Sequence, residues 1–278
     1  MAMPRKHHTS FLERSRTTLQ TVCEKKVEVW ELHHINNDAI MSAWAKHFRQ
    51  HYCRDSDIDS LRKGTGKSRQ DYLNTIKFPD KKQKPGPSIR AGNFAEILVA
   101  DFLEFIHGYE VLGRLTRYSN KTIRNESTKG NDIIGFRFVN GANPDPKDEL
   151  AFFEAKAKFT GNSTSAQNRL QDAIKGSAKD KLRLGESLNA MKQRFIEQNM
   201  AKEAEKVQRF QNVADNPYTT NYGAVALVCN SNYSEPIATS ANTSSHPFND
   251  NLRLVIIKGE NMMALVHELY KRAADEAR

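Results

Sequence analysis

Leu150 to Lys158 reads LAFFEAKAK. Side chains alternate along a strand, so Phe152, Glu154 and Lys156 fall on one face and Phe153, Ala155 and Ala157 on the other. A carboxylate and an ammonium thus sit side by side in an apolar run, where an unpaired ion carries a heavy desolvation penalty unless it is paired or metal-bound. Two further acids stand at the heads of apolar segments: Asp132 after the Gly-Asn turn of Lys129 to Val139 (KGNDIIGFRFV), and Glu96 in the first turn of Asn93 to Ile106 (NFAEILVADFLEFI). Carboxylates brought together at a sheet edge repel, and a hard, oxygen-seeking cation relieves that repulsion. Mg2+ is the expected metal, with Mn2+ as a substitute and Asp132, Glu154 and Glu96 as its ligands. A metal-bound water is then available for attack. Lys156 is placed to orient that water or to stabilise the charge developing on a phosphate oxygen. The chemistry expected of Glu96, Asp132, Glu154 and Lys156 is hydrolysis of a phosphodiester.

The tripeptide [DE]xK is uninformative by itself, because 27% of the chain is charged and Glu24-Lys25-Lys26, Asp80-Lys81-Lys82 and Asp145-Pro146-Lys147 also match. Context separates them. Only Glu154-Ala155-Lys156 lies in a strand-like apolar run, behind a strand headed by Asp and a helix opened by Glu. The competing reading is a surface salt bridge on an edge strand.

These residues need a sheet and helices to position them. Strand-like runs bounded by Gly, Asn, Pro or Asp occur at Tyr109 to Arg117, Asp132 to Val139, Leu150 to Lys158, Tyr222 to Cys229 and Leu252 to Lys258. Helical spacing marks Asn93 to Ile106, ending at His107-Gly108, one or two long helices within Ser165 to Asn212, and Asn261 to Ala274. The order is helix, three strands, helix, strand, strand, helix, with an Asn/Ser/Thr-rich loop from Asn230 to Asn251. It predicts an α/β fold whose mixed central sheet is flanked by helices. Before it, residues 1–87 form a basic, mainly helical region containing the amphipathic run Asp38 to Tyr52. Basic Gly/Pro-containing loops at Arg62 to Arg69 and Lys81 to Pro87 place a boundary near Ser88, so the division is 1–87 and 88–278.

The 278 residues, 38% of them hydrophobic, suffice for a real core. Lys and Arg exceed Asp and Glu by 42 to 33, and the excess is N-terminal: 18 against 10 in residues 1–90, 24 against 23 thereafter. A concentrated positive field suits a polyanion, and equally suits a merely soluble basic surface. With no apolar stretch of spanning length and no signal-peptide pattern, a cytoplasmic protein without a membrane partner is expected. Cys23, Cys53 and Cys229 are too few and too scattered for a disulfide framework or a CxxC zinc ribbon.

The arrangement resembles the PD-(D/E)XK nuclease superfamily, and more closely the nuclease subunit of Hachiman- and Abp-type anti-phage defence systems. The resemblance rests on Gly92-Asn93-Phe94-Ala95-Glu96, Lys129-Gly130-Asn131-Asp132, Phe152-Phe153-Glu154-Ala155-Lys156 and the terminal LRLVIIKGENMMALVHELY, and covers about residues 88–275. It implies a restriction-endonuclease-like core, Asp132 and Glu154 as direct metal ligands, Lys156 as the water-positioning base and Glu96 as an additional carboxylate. Asn131 stands where that pattern often has Pro. It also implies DNA as substrate and a helicase subunit as partner.

Other candidates are weaker. His47, His51 and Cys53 lack a fourth zinc ligand and read as packing; His7-His8 and His33-His34 show no acidic partner in sequence. Leu61 to Ser68 ends like a phosphate-binding loop but lacks its first glycine and a preceding strand, so no nucleotide cofactor is expected. Gln167 and Lys175, on the helix after the Glu-x-Lys strand, read as solvated. Two rivals remain: a stand-alone restriction or junction-resolving endonuclease, and a non-catalytic nucleic-acid-binding adaptor on the same fold.

Overall fold

The sheet that carries Glu154 and Lys156 is built from both ends of the chain. The computed structural model describes residues 7–34, 37–114, 117–126, 133–141, 143–161 and 168–277, with the backbone alone at 180–183. In chain order the elements are a 3-10 turn His7–Phe11, β1 (Leu12–Gln20), β2 (Lys26–Leu32), α1 (Asp38–Gln50), α2 (Ile58–Arg62), α3 (Arg69–Tyr72), α4 (Gly86–Asp101), β3 (Ile133–Arg137), β4 (Glu149–Lys158), α5 (Arg169–Ser177), α6 (Asp180–Glu197), α7 (Ala201–Gln208), β5 (Thr219–Cys229), α8 (Glu235–Thr239), β6 (Leu252–Gly259) and α9 (Met262–Asp275). One π-helical turn, Leu73–Lys77, follows α3, and another, Phe102–Ile106, continues α4.

The strands form one mixed sheet in the order β1-β2-β6-β5-β4-β3. β2, β6, β5 and β4 run parallel to one another, while β1 and β3 are antiparallel edges. Parallel neighbours require crossovers, supplied by α5, α6 and α7 between β4 and β5 and by α8 between β5 and β6. Alternation along the strands feeds two cores. Phe153, Ala155, Val225, Leu227, Val255 and Ile257 pack under α1, α4 and α9. Leu150, Phe152, Ala224, Ala226, Leu254 and Ile256 pack under α5, α6 and α7. The expected α/β fold with a mixed, helix-flanked sheet is the one observed.

Three features differ from expectation. Tyr109 to Arg117 is not a strand: among its described residues Glu110 makes a single antiparallel bridge to Phe136, followed by turns, because Gly113 sits at φ +70° and breaks the extended run. The N-terminal third supplies β1 and β2 to the sheet, through the alternating KVEVWEL of β2, besides the anticipated helix α1. α4 starts at Gly86, so the compositional boundary at 87/88 falls inside a helix and Glu96 lies beyond its first turn. Gly108, at φ +72°, follows the end of this helical segment as predicted. No helix among the described residues is long and apolar enough to cross a membrane.

Candidate active site

β4 outruns its edge neighbour. Ile133 of β3 pairs with Phe153, and beyond that point β4 has a partner strand, among the described residues, only on the β5 side. Glu154 is the next residue along. Its side chain takes the α5 side of the sheet, where Gly176 of α5 leaves room for it, and it is only 8% exposed. Lys156, two residues further and on the same face, is partly exposed, and its Nζ donates to Glu154 Oε1. The charged pair read from the sequence is therefore a real contact.

Glu96 comes from the other layer. Its Oε2 accepts from Arg117 Nε at 2.8 Å and from the Tyr118 hydroxyl at 2.5 Å. Tyr118 is itself buried, stacked on Tyr52 with ring centroids 5.1 Å apart, and Tyr52 accepts from Asn93 Nδ2 at 2.8 Å and shares a hydroxyl–hydroxyl bond with Tyr270 of α9. Glu96 is thus held by side chains that lock α4, α9 and the residues after α1 together. Lys121 lies over the Tyr118 ring at 5.3 Å, and burial lowers its ammonium to about 8 even with Glu96 nearby to favour the charge.

At the open end of β4 the two layers enclose a cavity of about 660 Å³. Glu96, Glu154, Lys156, Arg114, Arg117, Arg194 and the exposed Glu186 are its charged lining. Of the four predicted site residues the structure brings Glu96, Glu154 and Lys156 to one cavity. Asp132 lies outside the described residues, as does Gln167; Ile133, the neighbour of Asp132, lines the cavity. Lys175 is exposed and is no part of this lining. The arginines were missed because the segment holding Arg114 and Arg117 was read as a strand and Arg194 sits in a long, generally charged helix. Gly176, an isolated glycine in a helical pattern, was the one local signal of close approach.

His47, His51 and Cys53 do not share a ligand set. Instead His8 Nε2 and His47 Nε2 reach the two oxygens of buried Asp101, at 2.9 and 2.8 Å, so His8 does have an acidic partner, 93 residues away. These three groups are close enough to hold a metal ion. However, the Arg114 guanidinium bonds the same Asp101 oxygen as His47 at 2.6 Å and lies 3.0 Å from Glu104, placing a fixed positive charge where a cation would enter. The cluster is an ion-pair network that ties the N-terminal turn and α1 to α4.

Carboxylate oxygens and guanidinium groups lining one cavity can bind a hard cation and an anionic group together. No curated protein matches the chain. A family model does, over residues 6–273. Because that match runs through both the N-terminal strands and the cavity-bearing core, the chain belongs to the HamA family, that of the Hachiman anti-phage defence protein.

Proposed function

We propose that this chain is a divalent-metal-dependent nuclease acting in that defence role, with DNA as substrate and a restriction-endonuclease-like core. The observation that carries the reading is the meeting of buried Glu154, its neighbour Lys156 and the tethered Glu96 on one cavity walled by arginines. The described donors fit the group: Glu154 and Glu96 offer oxygen ligands of the kind Mg2+ takes, and Asp132, outside the described residues, is the third carboxylate expected from the sequence. Bound there, Mg2+ or Mn2+ would supply Lewis-acid stabilisation of the phosphate and lower the pKa of a bound water. The chain's own residues do the rest. Glu154 and Glu96 hold the carboxylate positions; Lys156 orients the attacking water and stabilises charge on a phosphate oxygen; the arginines draw in the backbone. A helicase subunit is the partner we propose, delivering the strand to be cut.

The direct Lys156–Glu154 ion pair favours a second reading, a nucleic-acid-binding adaptor in which the pair is structural. One experiment separates the two. Purified full-length chain, alone and with any helicase that co-purifies, is incubated with labelled DNA in Mg2+ or EDTA. The nuclease reading expects cutting in Mg2+ alone, and a loss of at least about 100-fold in Glu154→Gln and Lys156→Ala with unchanged circular dichroism. DNA binding without any metal-dependent product, or undiminished cutting by either variant, would overturn it. Cells carrying the variants in their native genetic context should likewise lose protection in a phage challenge.

A further inference from the structure

Arg194 stands apart from the other cations of the cavity. Arg117 is committed to Glu96, Arg114 to Asp101 and Glu104, and Lys156 to Glu154. Among the described residues, the charged groups that act on Arg194 are Arg117, which repels it, and Glu197, one turn away on its own helix. No hydrogen bond or ion pair joins its guanidinium to another described residue. It is nonetheless half-buried, and burial first, with Arg117 second, lowers its affinity for its proton. A guanidinium kept partly out of water and beside a second guanidinium is costly unless an anion completes the site.

Its position is fixed. Glu186, Ser187, Ala190, Met191 and Arg194 all line the cavity, at the three- and four-residue steps that define one face of α6. Leu188 and Phe195 are buried in the core beneath the helix. Against the cavity wall, α6 sits directly on Gly113: a β-carbon there would lie 3.3 Å from Phe195 Cζ and 3.7 Å from Met191 Cγ. The close approach of α6 to residue 113 holds Arg194 beside Arg117, on the same cavity as Glu154 and Lys156.

We infer that Arg194 binds a backbone phosphate of the nucleic acid, its guanidinium taking the non-bridging oxygens while another phosphate of the strand lies at Glu154 and Lys156. The choice of a polynucleotide over a small anion rests on the nuclease reading; the anion site itself rests on the cavity and on Arg194. A planar fork of donors suits phosphate oxygens, and a chain of phosphates can engage more than one group of the cavity lining at once.

The test uses the full-length chain, with labelled single- and double-stranded oligonucleotides followed by fluorescence anisotropy in EDTA across a salt series. Arg194→Ala should weaken binding about ten-fold and flatten the dependence of log affinity on log salt by about 0.9 on duplex or about 0.7 on single strand. Arg194→Lys keeps the charge and should restore that slope, which a fold defect would not. With Mg2+, Arg194→Ala should raise KM about ten-fold and change kcat less than about three-fold. An unchanged slope and KM in Arg194→Ala, or a wild-type chain that binds neither oligonucleotide at low salt, overturns the inference. Glu154→Gln keeps the readings apart. If it cuts like wild type, the nuclease proposal falls while the Arg194 slope still decides its own case; if it binds without cutting and Arg194→Ala is neutral, only Arg194 is wrong.

Discussion

A β-carbon built on Gly176 would lie 2.5 Å from Glu154 Oε1 and 2.6 Å from its Cδ and Cγ, so the α5 backbone rests directly on the carboxylate. Gly to Ala inside a helix ordinarily gains about 0.5–1 kcal/mol. Here the methyl group has nowhere to go unless Glu154 moves. Gly176→Ala is therefore expected to reduce cleavage by on the order of 100-fold, the cost of an ångström-scale misplacement, without the usual gain in melting temperature. Wild-type kinetics in this variant would show that the carboxylate's position is immaterial. Tyr118 acts on the other acid. Tyr118→Phe keeps the stacked ring and removes the tyrosine hydroxyl that donates to Glu96 Oε2 beside Arg117. If Glu96 helps to hold the metal, the Mg2+ concentration for half-maximal cleavage should rise about ten-fold, since partners of metal-binding carboxylates act with that weight. An unchanged Mg2+ requirement would remove Glu96 from the metal-binding set.

Among the elements, β2 bears most on how the chain is divided. Val27, Val29, Trp30 and Leu32 are all buried, and the strand covers β6 along its length. Four such side chains contribute about 6–12 kcal/mol at about 1.5–3 kcal/mol each, comparable to the whole stability of an ordinary domain. A fragment of residues 88–278 should therefore fail to fold, presenting β6 as an apolar edge and aggregating on expression. A soluble, cooperatively melting fragment would restore the compositional division as a structural one. The strands that sequence alone located, β3 to β6, are apolar runs with turn residues at their ends, and β4 and β6 were placed within a residue or so. β1 escaped because LERSRTTLQ buries only Leu12 and Leu19, leaving no run to detect at a solvent-facing edge. β2 alternates cleanly, but Lys26, Glu28 and Glu31 set it in a charged region whose strongest periodicity is helical. The same contrast holds at the site. Glu154 and Lys156 were legible because charge inside an apolar strand is locally anomalous, and Glu96 because a helix carried it toward that strand. Arg117, Tyr118 and Arg194 gain their meaning only from the tertiary approach of α4, α6 and the turns near Gly113, which leaves no trace in local spacing.

For the molecule as a whole, the charge that matters at the cavity is not where the composition puts it. Lys156, Arg114, Arg117 and Arg194 all come from the nearly balanced part of the chain, whereas the N-terminal excess lies elsewhere. What the fold also holds is histidine kept largely from water, His47 and His51 in the N-terminal third and His107 just beyond α4. Burial, reinforced by His47 and Arg114, pushes His51 down to about 3, and burial with Arg253 pushes His107 down to about 4; burial also lowers His47 more than Asp101 raises it. In the unfolded chain these imidazoles titrate near about 6.5. As pH falls below that value the unfolded chain takes up protons that the folded chain refuses, so stability is complete above about 6.5 and declines toward the folded values. Each histidine contributes up to about 1.4 kcal/mol per pH unit, approached only below about pH 6, so His51 and His107 together remove about 3 kcal/mol between pH 6.5 and 5. Asp101 extends the trend. Burial by itself would raise its carboxyl, but His47, Arg114 and His8 outweigh that and hold it well below the usual range, so its contribution is lost only as unfolded carboxylates protonate near about pH 4. Urea melts at pH 7.5, 6.5, 5.5 and 5.0 should show this decline, and His107→Gln should flatten it by about 1 kcal/mol per pH unit. A stability independent of pH over that range would mean that these rings are hydrated in solution, and the packing of α1 and α4 against the sheet would have to be redrawn. If the decline is found, acid loss of cleavage should follow the unfolding curve, and a stabilising solute that shifts the melt should shift the acid limb of the activity profile by the same amount.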